Sequence, residues 1–170
     1  VEASIGRMVP IQTEEMKDGN PLRVCVESYD RLPVDKAAFK GEIPDIENLV
    51  PYSPFSYYIE RKLFVHNMGH ATTAYLGKLK NLSYIWEAIS VPEIEIIALR
   101  AMISSATALS SKYNYPFKEL LSHVENLIYR FSNKQLGDTS DRVGGDIKRK
   151  LSKKQEKELA AALANKKYLT

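Results

Sequence analysis

The feature that most constrains the fold is a run of helical periodicity at positions 54–79. Pro54 suits the first turn of a helix, where its missing N–H group costs nothing, and Ser53 before it is a good N-cap residue. At about 100° per residue, the apolar side chains of this run gather on one side of a helix. They are Phe64, Val65, Met68, Tyr75, Leu76 and Leu79. The pattern therefore predicts one long helix with an apolar stripe.

The other side of this helix is polar. It carries Lys62, His66, Asn67 and His70, which fall within an arc of about 140° if every residue turns by about 100°. Gly69 and Gly77 point the same way, although a glycine inside a helix costs about 1 kcal/mol relative to alanine. Two explanations of the glycines stay open: they leave space for a ligand, or they let another helix pack closely.

Lysine, asparagine and histidine on one face provide the groups that alcohol oxidation needs. A lysine withdrawn from water has a lowered pKa and can take a proton from an alcohol, a role open to Lys62. Asn67 and His70 can donate hydrogen bonds to an oxygen that becomes negative. In the plainer alternative, Lys62 is a solvated surface residue and the histidines pack. A zinc site on His66 and His70 is a further alternative, but the glutamate of an HExxH motif is missing.

The spacing K-x4-N-x2-H, followed by AYLG at 74–77, resembles the signature of the polyol-specific long-chain dehydrogenases. Further segments resemble that family in the same order: IGRMVP at 5–10, VDKAAFKG at 34–41, ERKLF at 60–64 and DRVGGDIKRKL at 141–151. The resemblance implies that Lys62 is the general acid/base, and that Asn67 and His70 stabilise the oxyanion. It also implies an NAD-dependent reaction that needs no metal.

The same resemblance implies two basic substrate contacts, Arg142 and Lys150. A guanidinium fork and an ammonium group can hold hydroxyls or a phosphate. The adjoining charge of Arg149 favours a phosphorylated sugar, so Arg149 joins the predicted substrate-binding residues, with a solvated basic surface as the alternative. Family members commonly have Asp before the arginine of the first segment, whereas this chain has Gly6 before Arg7, which removes one expected substrate contact.

The chain of 170 residues, with 44% hydrophobic and 26% charged residues, is long enough for one domain with a core. We expect a mainly α, multi-helical fold with a small β element near the N-terminus, made by strands at 22–29 and 32–35. Further helices are expected after Ser83, at 90–113, at 117–131 and after Ser152. A glycine-rich turn between a strand and a helix is missing. Residues 1–170 are therefore expected to be the C-terminal, substrate-binding domain of an enzyme whose N-terminal Rossmann NAD-binding domain is not in this sequence. Truncation of the domain at its C-terminus is a second expectation.

The expected function is the reversible NAD-linked oxidation of mannitol 1-phosphate to fructose 6-phosphate, with the isolated domain inactive. Rival interpretations are a dehydrogenase of an unphosphorylated polyol, a hexuronate reductase, and a non-catalytic helical binding module. A net charge of +3 gives little reason to expect nucleic acid as a partner. The lone Cys25 excludes an internal disulfide and fits a reducing cytoplasm. We expect a cytoplasmic monomer with no membrane span.

Overall fold

The structure, a computed structural model, describes residues 2–145. The predicted substrate contacts Arg149 and Lys150 and the helix expected after Ser152 lie outside the described residues. The described part is mainly helical with a short two-stranded sheet near the front of the chain, which confirms the predicted fold class.

The elements follow one another in a simple order. The strands are β1 (Leu32–Asp35) and β2 (Leu49–Tyr52). The α-helices are α1 (Glu14–Lys17), α2 (Ser56–Arg61), α3 (Met68–Leu79), α4 (Ile85–Ile89), α5 (Pro92–Tyr113), α6 (Phe117–Phe131) and α7 (Ser140–Gly144). A π-helical turn, Lys62–Asn67, joins α2 to α3 without a break, and short 3-10 turns lie at Lys36–Ala38 and Lys134–Leu136.

The β element differs from the prediction in its pairing. β1 forms at the expected place, but it pairs in parallel with β2, which lies outside the two segments predicted to be strands. The expected strand at 22–29 does not form. The side-chain amide of Gln12 donates to the backbone oxygen of Cys25 at 2.9 Å and accepts from its N–H at 2.8 Å. A side chain thus takes the place of a partner strand, and Leu22 and Val24 stay 87% and 63% exposed.

The core lies where α3, α5 and α6 meet. The buried residues of α5 recur mostly at every fourth position: Ile94, Ala98, Met102, Ala106 and Leu109. α6 adds Leu120, Val124 and Leu127, all fully buried, as its sequence pattern predicts. Helical spacing in the sequence also predicts that Ile97 and Ala108 face the core, and this prediction is wrong because both residues are exposed. The reason is that α5 covers its neighbours with one narrow stripe.

The two glycines of the long helix are explained by close helix packing. A Cβ atom on Gly69 would lie 2.3 Å from Met102 Sδ of α5, and one on Gly77 would lie 2.7 Å from Ala88 Cβ of α4. Both distances are far shorter than ordinary van der Waals contact. The side of α3 predicted to be polar therefore faces the protein interior, while Leu79, from the predicted apolar stripe, is 79% exposed.

By length and composition α5 is apolar enough to cross a membrane. The core helix of a soluble protein can have the same length and apolar composition. In this structure α5 buries a stripe of side chains in the core. This feature alone is weak evidence, and the expected absence of a membrane span stays a prediction.

Candidate functional site

The residues of the K-x4-N-x2-H motif lie on a helix that is not α-helical throughout. Lys62–Asn67 forms a π-helical turn, and the N–H group of Met68 donates to the carbonyl oxygen of Leu63, five residues earlier. Such turns inside α-helices are rare and occur frequently at functional sites. The helix also begins later than predicted, at Ser56, and Ser53 does not cap it, because the carbonyls of Pro54 and Phe55 accept its first backbone hydrogen bonds.

The π turn changes which side chains share a face. In a helix bonded from each residue to the fifth one along, residues five apart lie roughly above one another. Lys62 and Asn67 are five apart, so the turn moves Asn67 toward the face of Lys62, whereas α-helical geometry would separate them by about 140°. Lys62 is half-buried and Asn67 is exposed. The α-helical wheel used for the prediction is therefore wrong in this segment.

His66 points into the protein rather than toward solvent. It is 7% exposed, and its ring centroid lies 5.9 Å from that of Phe131. Burial lowers the pKa of His66 to about 3, with the neighbouring charges of His70, Arg130, Lys62 and Arg61 as further causes in that order. His66 is accordingly a neutral packing residue at physiological pH, as the plainer interpretation of the histidines had it.

His70 stacks on the same aromatic ring, that of Phe131. The ring centroids of His70 and Phe131 are 4.7 Å apart with an interplanar angle of 10°. Its Nε2 atom lies 3.4 Å from Oδ2 of Asp138, and both side chains are largely buried. A carboxylate at this distance favours a proton on Nε2 and fixes the orientation of the ring.

Asp138 also contacts Arg142. Its Oδ1 atom accepts a hydrogen bond from Arg142 Nη2, so the two carboxylate oxygens face two different partners. The backbone oxygen of Asp138 accepts a hydrogen bond from the N–H of Ile85 at 2.9 Å, and the N–H of Ser140 donates one to the backbone oxygen of Ser83 at 2.8 Å. These backbone bonds hold the carboxylate in place. Asp138 thus connects His70 to Arg142, two predicted site residues that are far apart in sequence.

Asp138 was missed in the sequence analysis. The available signal was its position four residues before Arg142 at the start of a helix, because oppositely charged residues at this spacing meet on a helical face. Thr139 supports the geometry as the N-cap of α7, since its Oγ1 accepts from Arg142 N–H at 3.1 Å. The Arg142 side chain stays 55% exposed, which leaves its guanidinium accessible to a ligand.

Lys62 and Asn67 are less fixed than His70 and Arg142. Within residues 2–145, no side-chain hydrogen bond or ion pair of Lys62 or Asn67 is formed. The candidate site therefore combines a held pair, His70 and Arg142, with two side chains of the π turn that make no such contact among residues 2–145.

Gly6 and Arg7, from the first segment that resembles the family, make other contacts. The carbonyl oxygen of Gly6 accepts from Arg130 Nη2 at 2.7 Å. Arg7 is exposed, and its Nε atom donates a hydrogen bond to the backbone oxygen of Tyr29. Among the described residues, Arg7 makes no hydrogen bond to Asp138. In the part of the chain that the structure describes, no group of three or more His, Cys, Asp or Glu side chains is arranged to hold a metal ion.

Comparison with known families places this geometry in context. The model of the mannitol dehydrogenase C-terminal domain matches residues 55–169, which is most of the chain and includes the π turn, Asp138 and Arg142. The chain belongs to this family. The resemblance to polyol dehydrogenases that the motifs indicated is thereby confirmed at the level of the family.

A solved structure supports the fold assignment. The chain is similar to Pseudomonas fluorescens mannitol 2-dehydrogenase in a ternary complex with NAD and D-mannitol, with a TM-score of 0.59 and 21% sequence identity. The match covers 83% of this chain and 30% of that chain. At this identity the likeness shows a common fold, and the chain spans less than a third of the length of that enzyme.

Proposed function

We propose that this chain is the substrate-binding part of an NAD-dependent polyol dehydrogenase. The observation that carries the proposal is the connection from His70 through Asp138 to Arg142, close to a π turn that brings Asn67 toward Lys62. The membership of the mannitol dehydrogenase C-terminal domain family supports the same class of reaction.

In the proposed reaction the Nζ atom of Lys62 takes the proton of the substrate hydroxyl as the carbonyl forms, and returns it in the reverse direction. The side-chain amide of Asn67 donates a hydrogen bond to the oxygen on which negative charge develops. In this proposal His70 donates a second one from Nδ1, in its doubly protonated form, because its Nε2–H faces Asp138.

Asp138 has a positioning role in this proposal. Its buried carboxylate faces Nε2 of His70 and Nη2 of Arg142. Because backbone hydrogen bonds join residues 83–85 to residues 138–140, the carboxylate holds both side chains relative to that part of the backbone. Arg142 then presents its remaining N–H groups to substrate hydroxyls. A polyol held by Arg142 would have its reacting carbon aligned with the donors of the helix.

The hydride acceptor in the proposal is the nicotinamide of NAD. The residues described here form helices and a two-stranded sheet, without a glycine-rich turn between a strand and a helix, and so do not fit a dinucleotide. We therefore propose that an N-terminal Rossmann domain of the same polypeptide binds NAD, and we assign only substrate binding and proton transfer to residues 1–170.

We propose mannitol 1-phosphate as the substrate, because Arg149 and Lys150 follow Arg142 closely and positive charges favour a phosphate. Free mannitol is the second candidate, since the structural neighbour is a mannitol 2-dehydrogenase solved with D-mannitol. Comparing kcat/KM of the full-length enzyme for mannitol 1-phosphate, mannitol and a hexuronate distinguishes these substrates. A preference for mannitol by an order of magnitude would contradict the phosphorylated substrate but not the polyol dehydrogenase.

The test of the catalytic proposal is Lys62→Ala in the full-length enzyme. We expect kcat to fall by about 10²–10⁴-fold with NADH binding nearly unchanged, because general acid/base catalysis contributes about that much. Lys80→Ala is the matched control, since Lys80 follows the same helix and is exposed. Near-normal turnover in Lys62→Ala would remove Lys62 from its role.

A further inference from the structure

A second concave region lies apart from the proposed catalytic residues. It is a cleft of about 550 Å³ between α6, the C-terminal end of α2 and the segment leading into β1. None of Lys62, Asn67, His70, Asp138 and Arg142 lines it. Its volume falls within the range of about 300–1,000 Å³ that is typical of small-molecule sites.

Arg61 lines this cleft with a cation that has no acceptor among residues 2–145. Its guanidinium lies over the ring of Tyr58, 4.5 Å from the centroid. Its Nε atom is buried and makes no hydrogen bond within the described part of the chain. A buried polar group without a partner costs free energy and calls for an explanation, which a bound anion would provide.

The acidic residues of the cleft do not supply that acceptor. Asp30 accepts a hydrogen bond from Asn48 Nδ2 at 3.0 Å, and Glu119 accepts one from the Tyr115 hydroxyl at 2.6 Å. Both carboxylates are therefore engaged by neutral donors at exposed positions. Arg31 and Lys118 add two further cations to the lining, so positive charge exceeds negative charge in the cleft.

The remaining lining groups are neutral and polar or aromatic. Burial lowers the pKa of His123 to about 2, with the charges of Arg61, His66 and Arg130 as further causes, so its imidazole is uncharged at physiological pH. Ser122 and Asn126 offer a hydroxyl and an amide. Three tyrosines, Tyr29, Tyr58 and Tyr115, also line the cleft, and aromatic rings of this kind can pack against the C–H faces of a sugar.

We propose that this cleft is a binding site for a phosphorylated small molecule about the size of a sugar phosphate. Arg61 holds the phosphate, because its fork of N–H donors matches two phosphate oxygens, and Arg31 and Lys118 add charge at the rim. Hydroxyl groups of the ligand bind Ser122, Asn126 and the neutral His123. The site depends on none of the catalytic assignments above.

The test is a titration of the isotopically labelled chain followed by amide NMR shifts, with D-glucose 6-phosphate as the probe, inorganic phosphate as the minimal anion and D-glucose as the uncharged control. We expect saturable shifts around Ser122 and Asn126 with the two phosphates and none with glucose. Arg61→Gln should weaken binding by about tenfold or more, because a charge-assisted bidentate contact is lost. Lys118→Ala should weaken it less, and Arg100→Gln, an exposed arginine of α5, should leave it unchanged.

Three outcomes would overturn the proposal. One is the lack of saturable shifts at millimolar phosphate or glucose 6-phosphate. Another is a set of shifts centred on Arg142, which would assign the anion to the proposed catalytic region instead. The third is unchanged affinity in Arg61→Gln, or in Lys118→Ala if Arg61→Gln does not fold.

Discussion

A buried ion pair between Glu27 and Arg130 joins the front of the chain to the helical core. Arg130 Nε donates to Glu27 Oε2 at 2.9 Å, and Nη2 donates both to Glu27 Oε1 and to the carbonyl oxygen of Gly6. The same carboxylate accepts from the N–H of Met8. The substitution Glu27→Gln keeps the shape of the side chain and removes its charge, which leaves the guanidinium of Arg130 without its counter-ion.

The expected effect follows from burial. Both side chains are 7% exposed, so water screens the pair very little. Removing one member of a buried pair costs about 3–5 kcal/mol, mainly because the other charge stays buried and unpaired. A chain of this length loses about 2–4 °C in Tm for each kcal/mol, so the variant should melt about 6–20 °C lower.

Thermal unfolding monitored by circular dichroism measures this loss. Asp18→Asn is the control, because the pair between Asp18 and Arg23 is largely exposed and should change Tm by no more than about 2 °C. The double variant Glu27→Leu with Arg130→Met removes both charges together and should recover part of the stability, because the N–H of Met8 and the carbonyl oxygen of Gly6 still lose their partners. A Glu27→Gln variant that melts like the Asp18→Asn control would refute the reasoning.

The remaining predictions concern the positioning carboxylate and the buried histidines. Asp138→Asn in the full-length enzyme should lower kcat by about 10–100-fold and change the pH profile of kcat, with little change in Tm. The reason is that an amide cannot hold the Nε2 proton of His70 in the same way as a carboxylate. Asp138→Glu should restore part of the activity, and an unaltered pH profile in Asp138→Asn would count against the positioning role. Burial lowers the pKa of His66 to about 3 and that of His123 to about 2. As the pH falls below about 6.5, the unfolded chain therefore binds protons before the folded chain does. The contribution of the neutral histidines to the free energy of unfolding is fully present above that pH, and below it the free energy of unfolding decreases by up to about 1.4 kcal/mol per pH unit for each histidine. Urea unfolding between about pH 7 and about pH 5.5 measures the slope, which His123→Gln should reduce by about half; an equal slope in that variant would be inconsistent with a buried neutral His123.

The parts of the fold that the sequence predicts well are those decided by local pattern. α6 begins and ends at the predicted residues, since Pro116 breaks the chain before it and its apolar residues recur at helical spacing. β1 is likewise found where expected. Its pairing with β2 depends on contacts between segments that are distant in sequence, and no local pattern indicates that Gln12 occupies the backbone groups of Cys25 instead.

The candidate site shows the same division between local and tertiary information. The helical spacing of Lys62, Asn67 and His70 marks the segment that contains the π turn, and Arg142 shares the carboxylate of Asp138 with His70. Their mutual orientation depends on the π turn, which adds a residue to one turn of the helix. No pattern in residues 62–67 predicts that turn. An α-helical wheel consequently assigned the interior-facing His66 to the polar side.

The π turn and the close packing of α3 have one common consequence for function. Gly69 presses against Met102 and Gly77 against Ala88, so α3 cannot rotate or slide without moving the core. His70 lies between these two glycines and is further held by Phe131 and Asp138. Lys62 and Asn67, in contrast, lie within the π turn and make no side-chain hydrogen bond or ion pair among residues 2–145. His70, one of the two proposed oxyanion donors, is thus fixed by the core, and the proposed proton acceptor Lys62 keeps the freedom of a lysine side chain to follow the hydroxyl proton as the substrate enters and leaves.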